Sequence, residues 1–96
     1  MKQRILFLFL FGAIWVKPFA QNLLMGKVAD SRTGDPLIGA TVLAVGTTNG
    51  VITDAEGRFR IELKELPATL EVSYAGYRSA RYEIANLFEL LVQLEP

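Results

Sequence analysis

An all-β sandwich behind an export signal is the fold class this sequence predicts. Three observations carry it: runs in which apolar and polar residues alternate one by one, turn-forming clusters at short intervals, and a basic-then-apolar N-terminus unlike the rest of the chain.

The alternation is the primary signal. Phe59, Ile61 and Leu63 interleave with Arg58, Arg60 and Glu62. Leu70, Val72 and Tyr74 interleave with Glu71 and Ser73, and Phe88, Leu90, Val92 and Leu94 with Glu89, Gln93 and Glu95. A period of two places one set of side chains inward and the other in water. Leu91 interrupts the polar set of the last run. Residues 41–45 are more continuously apolar and β-branched, as in a central strand.

Turn chemistry separates these runs. Residues 31–36 are rich in turn formers, residues 46–50 end in Asn49-Gly50, whose residue types accept positive φ, and Asp54-Ala55-Glu56-Gly57 fits a type I turn closed by a glycine. Pro67 lacks the N–H that a ladder needs, and Gly76 permits a tight bend between Tyr74 and Tyr77. Seven strands are expected, near residues 24–29, 38–45, 50–53, 57–63, 69–74, 77–84 and 87–94. Short strands at this spacing predict a sandwich or small barrel. Phe59, Tyr74, Tyr77, Tyr82 and Phe88 are the expected core anchors, since each ring can bury roughly 150–250 Å².

The N-terminus reads differently. Lys2 and Arg4 precede an almost wholly apolar stretch, residues 5–16, and Pro18-Phe19-Ala20 leads into Gln21. Basic start, apolar core and small residue at the cut form the order of a secretory signal peptide. The apolar stretch falls short of the roughly twenty residues of a spanning helix. Residues 1–20 are expected to be removed, leaving 21–96 as one domain with no transmembrane segment. Loss of Lys2, Arg4 and Lys17 leaves seven basic residues against ten acidic ones, a net charge of −3.

Composition restricts the chemistry. The 96 residues contain no His and no Cys. The commonest general base, the commonest metal ligands and any thiol nucleophile are therefore missing. Ser31, Ser73 and Ser79 have no histidine to activate them. The acidic residues fall at turns or on polar strand positions, where a solvated face accounts for them. An EF-hand loop through Asp54 would need an acidic ligand at position 52, which is Ile52, and a closing glutamate at position 63, which is Leu63. The glycines match neither dinucleotide nor phosphate-loop spacing, and turns and bulges are their expected work. Ten basic and ten acidic residues cancel in the whole chain, so nothing electrostatic points to nucleic acid. No catalytic residue, cofactor or metal is expected.

Three separated motifs, taken in order, identify a family. Gly26-Lys27-Val28-Ala29-Asp30 is followed by Gly34-Asp35-Pro36-Leu37-Ile38-Gly39-Ala40-Thr41-Val42. The second motif runs from Gly46 through Asn49-Gly50-Val51-Ile52-Thr53-Asp54-Ala55-Glu56-Gly57-Arg58-Phe59. The third is Tyr74-Ala75-Gly76-Tyr77. Together they resemble the carboxypeptidase-regulatory-like domain found at the N-terminus of SusC/RagA-type TonB-linked outer-membrane receptors. The resemblance covers nearly all of residues 24–94. It implies a seven-stranded, transthyretin-like Greek-key sandwich, no catalytic residue, and a place in the periplasm or at the periplasmic face of the outer membrane. The implied partner is a TonB-linked receptor or its periplasmic machinery.

Each motif residue also has a physical role. Pro36 sets φ for entry into the next strand, and Gly39 permits a close approach or bulge. Thr53 and Asp54 can bond their own turn, Gly57 supplies positive φ, and Phe59 enters the core. Gly39, Asn49, Gly50, Asp54, Gly57, Phe59, Tyr74, Gly76 and Tyr77 are thus expected to specify the fold.

The receptors continue into a plug and a barrel, whereas this sequence stops where the sandwich is expected to end. A free-standing module and a truncated receptor both fit. A free envelope sandwich that binds protein or glycan is the other functional reading. Two surfaces are available to either: an unpaired sheet edge, or a loop end carrying Asp35, Thr48 and Asn49.

Overall fold

The computed structural model describes residues 22–96. The expected signal peptide, residues 1–20, lies outside the described residues. Seven strands are described: β1 (Asn22–Asp30), β2 (Thr41–Ala44), β3 (Gly50–Ile52), β4 (Arg58–Leu63), β5 (Ala68–Ser73), β6 (Ala80–Ile84) and β7 (Leu90–Leu94). They form two sheets, ordered β4-β1-β7 and β3-β2-β5-β6. The connections are Greek-key in kind, because β2 pairs with β5 although β3 and β4 lie between them in sequence.

The alternating runs behave as their period requires. Phe59, Ile61 and Leu63 of β4 and Leu90, Val92 and Leu94 of β7 are buried, with exposed residues between them. Leu24 and Val28 of β1 join them from the same sheet, and Val42, Leu70, Val72 and Ile84 face them from the other. Sheet-on-sheet packing of this kind gives a core about 10 Å thick.

The pairing of β1 holds the three-stranded sheet together. It runs antiparallel to β4, with Gly26 opposite Phe59, and parallel to β7, with Gly26 opposite Leu90. The parallel pairing joins the first strand to the last, so Asn22 and Leu94 lie at opposite ends of the sandwich. Gly26 sits inside this strand and not in a turn. A β-carbon there would come within 2.5 Å of both the Leu90 carbonyl oxygen and the Phe59 ring. The ring of Phe59 thus covers the glycine on the neighbouring strand, an arrangement that protects an otherwise bare stretch of backbone.

Three strand expectations are corrected at their ends. Residues 38–40 are a turn, with Gly39 at φ +84°. Residues 77–79 belong to a bend, with Gly76 at φ +88° and the Tyr77 N–H donating to the Tyr74 carbonyl at 3.0 Å. Residues 87–89 have no ladder, since β7 meets β1 only from Leu90 onward. Phe88 is consequently 51% exposed and is not a core anchor. Parity assigns a side chain to a face only where neighbouring strands hold the pleat. Of the other expected anchors, Phe59 is buried, while Tyr74, Tyr77 and Tyr82 pack against the core from its margin.

Candidate functional site

The polar groups with the most partners lie at the end of the sandwich where β1 finishes. Asp30 is the last residue of β1 and faces inward, leaving it only 8% exposed. One of its carboxylate oxygens accepts the N–H groups of Arg32 (2.6 Å) and Thr33 (3.0 Å). The other accepts the Tyr77 hydroxyl at 2.6 Å. A buried carboxylate must be compensated in this way. The result ties the loop after β1 to the bend after β5. Tyr74 and Tyr77 stack beside it, ring centres 5.5 Å apart and tilted by 55°, within the range of favourable aromatic pairs.

Thr53 and Asp54 hold the neighbouring turns. The Thr53 hydroxyl donates to the Leu37 carbonyl at 2.6 Å and accepts the Ala40 N–H at 2.8 Å. It therefore grips the 37–40 turn, and not its own as the sequence predicts. Asp54 does bond its own turn, accepting the N–H groups of Glu56 and Arg58, both at 2.9 Å. Gly57 closes that turn at φ +77°, with its N–H donating to the Asp54 carbonyl.

The opposite end holds a different set. The Asn49 side-chain amide donates to the Glu62 carbonyl and so bridges the two sheets. Its own N–H is held by the Thr47 hydroxyl, and the left-handed residue of this loop is Gly46, at φ +85°, not Asn49 or Gly50. Gly50 opens β3 opposite Leu43. A recess of about 680 Å³ lies here, lined by Thr47, Asn49, Glu62, Lys64 and Thr69 among others.

These positions divide a surface that the sequence reading treats as one. Asp35 accepts the Asp30 N–H through its carbonyl, while Asn49 bonds Glu62, which pairs with Leu23. Leu23 and Asp30 are seven residues apart along β1, roughly 23 Å at strand spacing. Asp35 and Thr48-Asn49 therefore cannot share a loop-end surface. Of the expected fold-specifying residues, Gly57, Asp54, Tyr74, Gly76 and Tyr77 gather toward the Asp30 end, and Asn49 and Gly50 lie toward the other. Asp30 itself is the group that sequence reasoning missed. Its signal was an acidic residue at an inward position of an alternating run.

The Asp30–Tyr77 bond sets an expected pH response. The Asp30 carboxyl is held below its usual 3.8, first by the Tyr77 hydroxyl and then by the Thr33 and Arg32 N–H groups. Asp54 is lowered too, chiefly by the Arg58 N–H. Tyr77 is raised above 10.0, chiefly by its bond to Asp30. A lowered carboxyl stabilises the fold fully above its unfolded value, and that stabilisation is lost as pH falls through the folded value. A raised phenol stabilises fully below 10.0 and loses its contribution as pH rises through its folded value. Urea midpoints measured by circular dichroism should therefore fall on both sides, below about pH 4 and above about pH 10. Tyr77→Phe should remove the alkaline loss and move the Asp30 titration, followed by NMR, back toward 3.8. An unmoved Asp30 titration in that variant would contradict the bond.

Fold and polar groups together define a small β-sandwich module whose carboxylates and hydroxyls hold turns. The sequence profile of the CarboxypepD_reg-like domain matches residues 24–95, and the chain belongs to that family. It is 32% identical over 78 residues to the TonB-dependent receptor SusC of Bacteroides thetaiotaomicron, covering 81% of this chain and 8% of that one. It is 30% identical over 90 residues to a TonB-dependent receptor of Formosa agariphila, covering 94% of this chain and 9% of that one. The chain thus spans less than a tenth of the curated relatives it matches. Among solved structures it is similar to a chain of a type II cohesin-X-dockerin complex from Acetivibrio cellulolyticus. There the TM-score is 0.57 at 25% identity, over 73% of this chain and 51% of that one. Among the described residues no helix is long and apolar enough to cross a membrane.

Proposed function

We propose that this chain is an exported, non-catalytic interaction module of a TonB-dependent uptake system, matured by removal of residues 1–20 and working in the periplasm or at the periplasmic face of the outer membrane. The observation that carries this reading is the 32% identity to SusC over 81% of the chain. The chemistry supports it. With no His or Cys in the chain, and with Asp30, Thr53 and Asp54 engaged in holding loops, the module acts through surface contacts. Its partner is a TonB-linked receptor or the receptor's periplasmic machinery. The recess at the Asn49 end favours a second reading, a free-standing envelope module that binds protein or glycan there.

The test is a pull-down from envelope extract with the purified chain, its N-terminus read by mass spectrometry. The expected chain begins at Gln21 and captures a TonB-linked receptor or a periplasmic partner of one. Capture of soluble glycan alone would favour the second reading. Turnover of a peptide or glycoside would overturn both.

A further inference from the structure

A sheet edge can accept another strand only through main-chain groups that are free and point outward. In β7 those groups can be assigned. The Ser31 N–H donates to the Leu94 carbonyl at 2.9 Å, and Ser31 directly follows the last residue of β1. The Leu94 main chain therefore points toward β1. Main-chain groups alternate sides along a strand, so Leu90 and Val92 also point toward β1, while Leu91 and Gln93 point away. Glu95 belongs to the outward set, and its carbonyl is already taken by the Arg78 N–H at 2.8 Å. Among the described residues, the open part of this edge is thus Leu91 and Gln93.

The other edges are less open. The outward carbonyls of β4 are those of Arg58, Arg60 and Glu62, and two of these accept the Asp54 N–H and the Asn49 side-chain amide. β3 has only three residues. β6 carries exposed Arg81 and Glu83, charges of the kind that discourage strand addition. Beside the β7 edge, by contrast, Leu91 is 68% exposed, and Phe88 and Leu87 are 51% and 44% exposed.

We propose that this edge pairs with the same edge of a second copy, antiparallel, about a two-fold axis at Leu91. Self-complementarity selects the second copy as occupant. Centred on Leu91, the pairing sets Leu91 against Leu91 through outward main-chain groups and brings Gln93 opposite Glu89, an amide beside a carboxylate. A centre on Gln93 needs the Glu95 carbonyl that Arg78 occupies. A centre on Val92 sets Glu89 against Glu95, two like charges. A centre on Leu90 lays each Leu91 against a Glu89 carboxylate. Edge pairing alone falls below the roughly 800 Å² per partner of a standard interface, so the dimer is weak and concentration-dependent. It goes beyond the receptor reading and does not require it.

The chain has no Cys, so single cysteines report the register directly. In a hydrogen-bonded antiparallel pair the facing Cα atoms lie about 5.5 Å apart, inside the disulfide range of about 4.4–6.8 Å. Copies of residue 93 would stand four residues apart along the strands, about 14 Å, beyond that range. Mild oxidation of the full chain should therefore link Leu91→Cys into a dimer and leave Gln93→Cys monomeric. Sedimentation of the unsubstituted chain should show a dimer fraction rising with concentration, lost in Leu91→Lys, with the Leu91→Lys thermal midpoint unchanged. Equal cross-linking of both cysteine variants, or a monomer at every concentration up to millimolar, would overturn the proposal.

Discussion

Gly57→Val is expected to lower the stability of the domain by roughly 2–6 kcal/mol. Two costs add. Gly57 stands at φ +77°, where a β-branched residue is strained by roughly 1–3 kcal/mol. The new β-carbon would also come within 2.6 Å of the Val28 carbonyl oxygen and 3.0 Å of Pro36. Main chain yields less easily than a side-chain tip, and overpacking of this kind costs roughly 1–3 kcal/mol. Gly34→Val separates the two contributions. Gly34 stands at φ +80°, but its β-carbon would meet nothing within 4 Å among the described residues. It should show the strain alone. Urea midpoints of the two variants would measure both, and equal losses would mean that the contact with β1 contributes nothing.

Phe59→Ala is expected to cost about 3–5 kcal/mol, the range for deleting a buried aromatic side chain. A domain of this size has a total stability on the order of 5 kcal/mol, so the variant should be largely unfolded at 37 °C. Gly26→Ala should cost roughly 1–3 kcal/mol by crowding the ring and the Leu90 carbonyl. The two changes touch one space, because the ring lies over the glycine. Their effects should therefore be non-additive by about 0.5–3 kcal/mol, the double variant being more stable than the sum predicts. The Leu90 contact remains in the double variant, so rescue should be partial. Strict additivity in denaturation would contradict the ring-over-glycine arrangement.

Much of this protein is legible locally. The all-β class, seven strands and the burial of Phe59, Ile61, Leu63, Leu90, Val92 and Leu94 follow from period-two alternation, because a pleated strand has only two faces. The Asp54–Gly57 turn is legible for the same local reason: a carboxylate two and four residues before free N–H groups, closed by a glycine. The three ordered motifs likewise carry the family. Leu91 stands out in sequence as the apolar residue on a polar side, and it is the residue on which the free edge centres.

What sequence alone leaves undecided is pairing across distance. Alternation says that Asp30 faces inward, but only the docking of the 74–77 bend beside β1 supplies Tyr77 as its partner. Sequence reading offers Gly26 only as a glycine for a turn or bulge, inside the expected strand 24–29. The joint pairing of β1 with β4 and β7 makes it the seat of the Phe59 ring instead. Asp35 and Asn49 read as neighbours on one loop end, and β1 holds them at opposite ends. Phe88 has the parity of a core residue, yet the ladder that would enforce parity begins two residues later. The physical reason is common to all four. Side-chain period and turn chemistry are properties of a few consecutive residues. Register, strand order and the parallel joining of first strand to last depend on contacts between segments tens of residues apart, and those exist only once the two sheets have closed on their core.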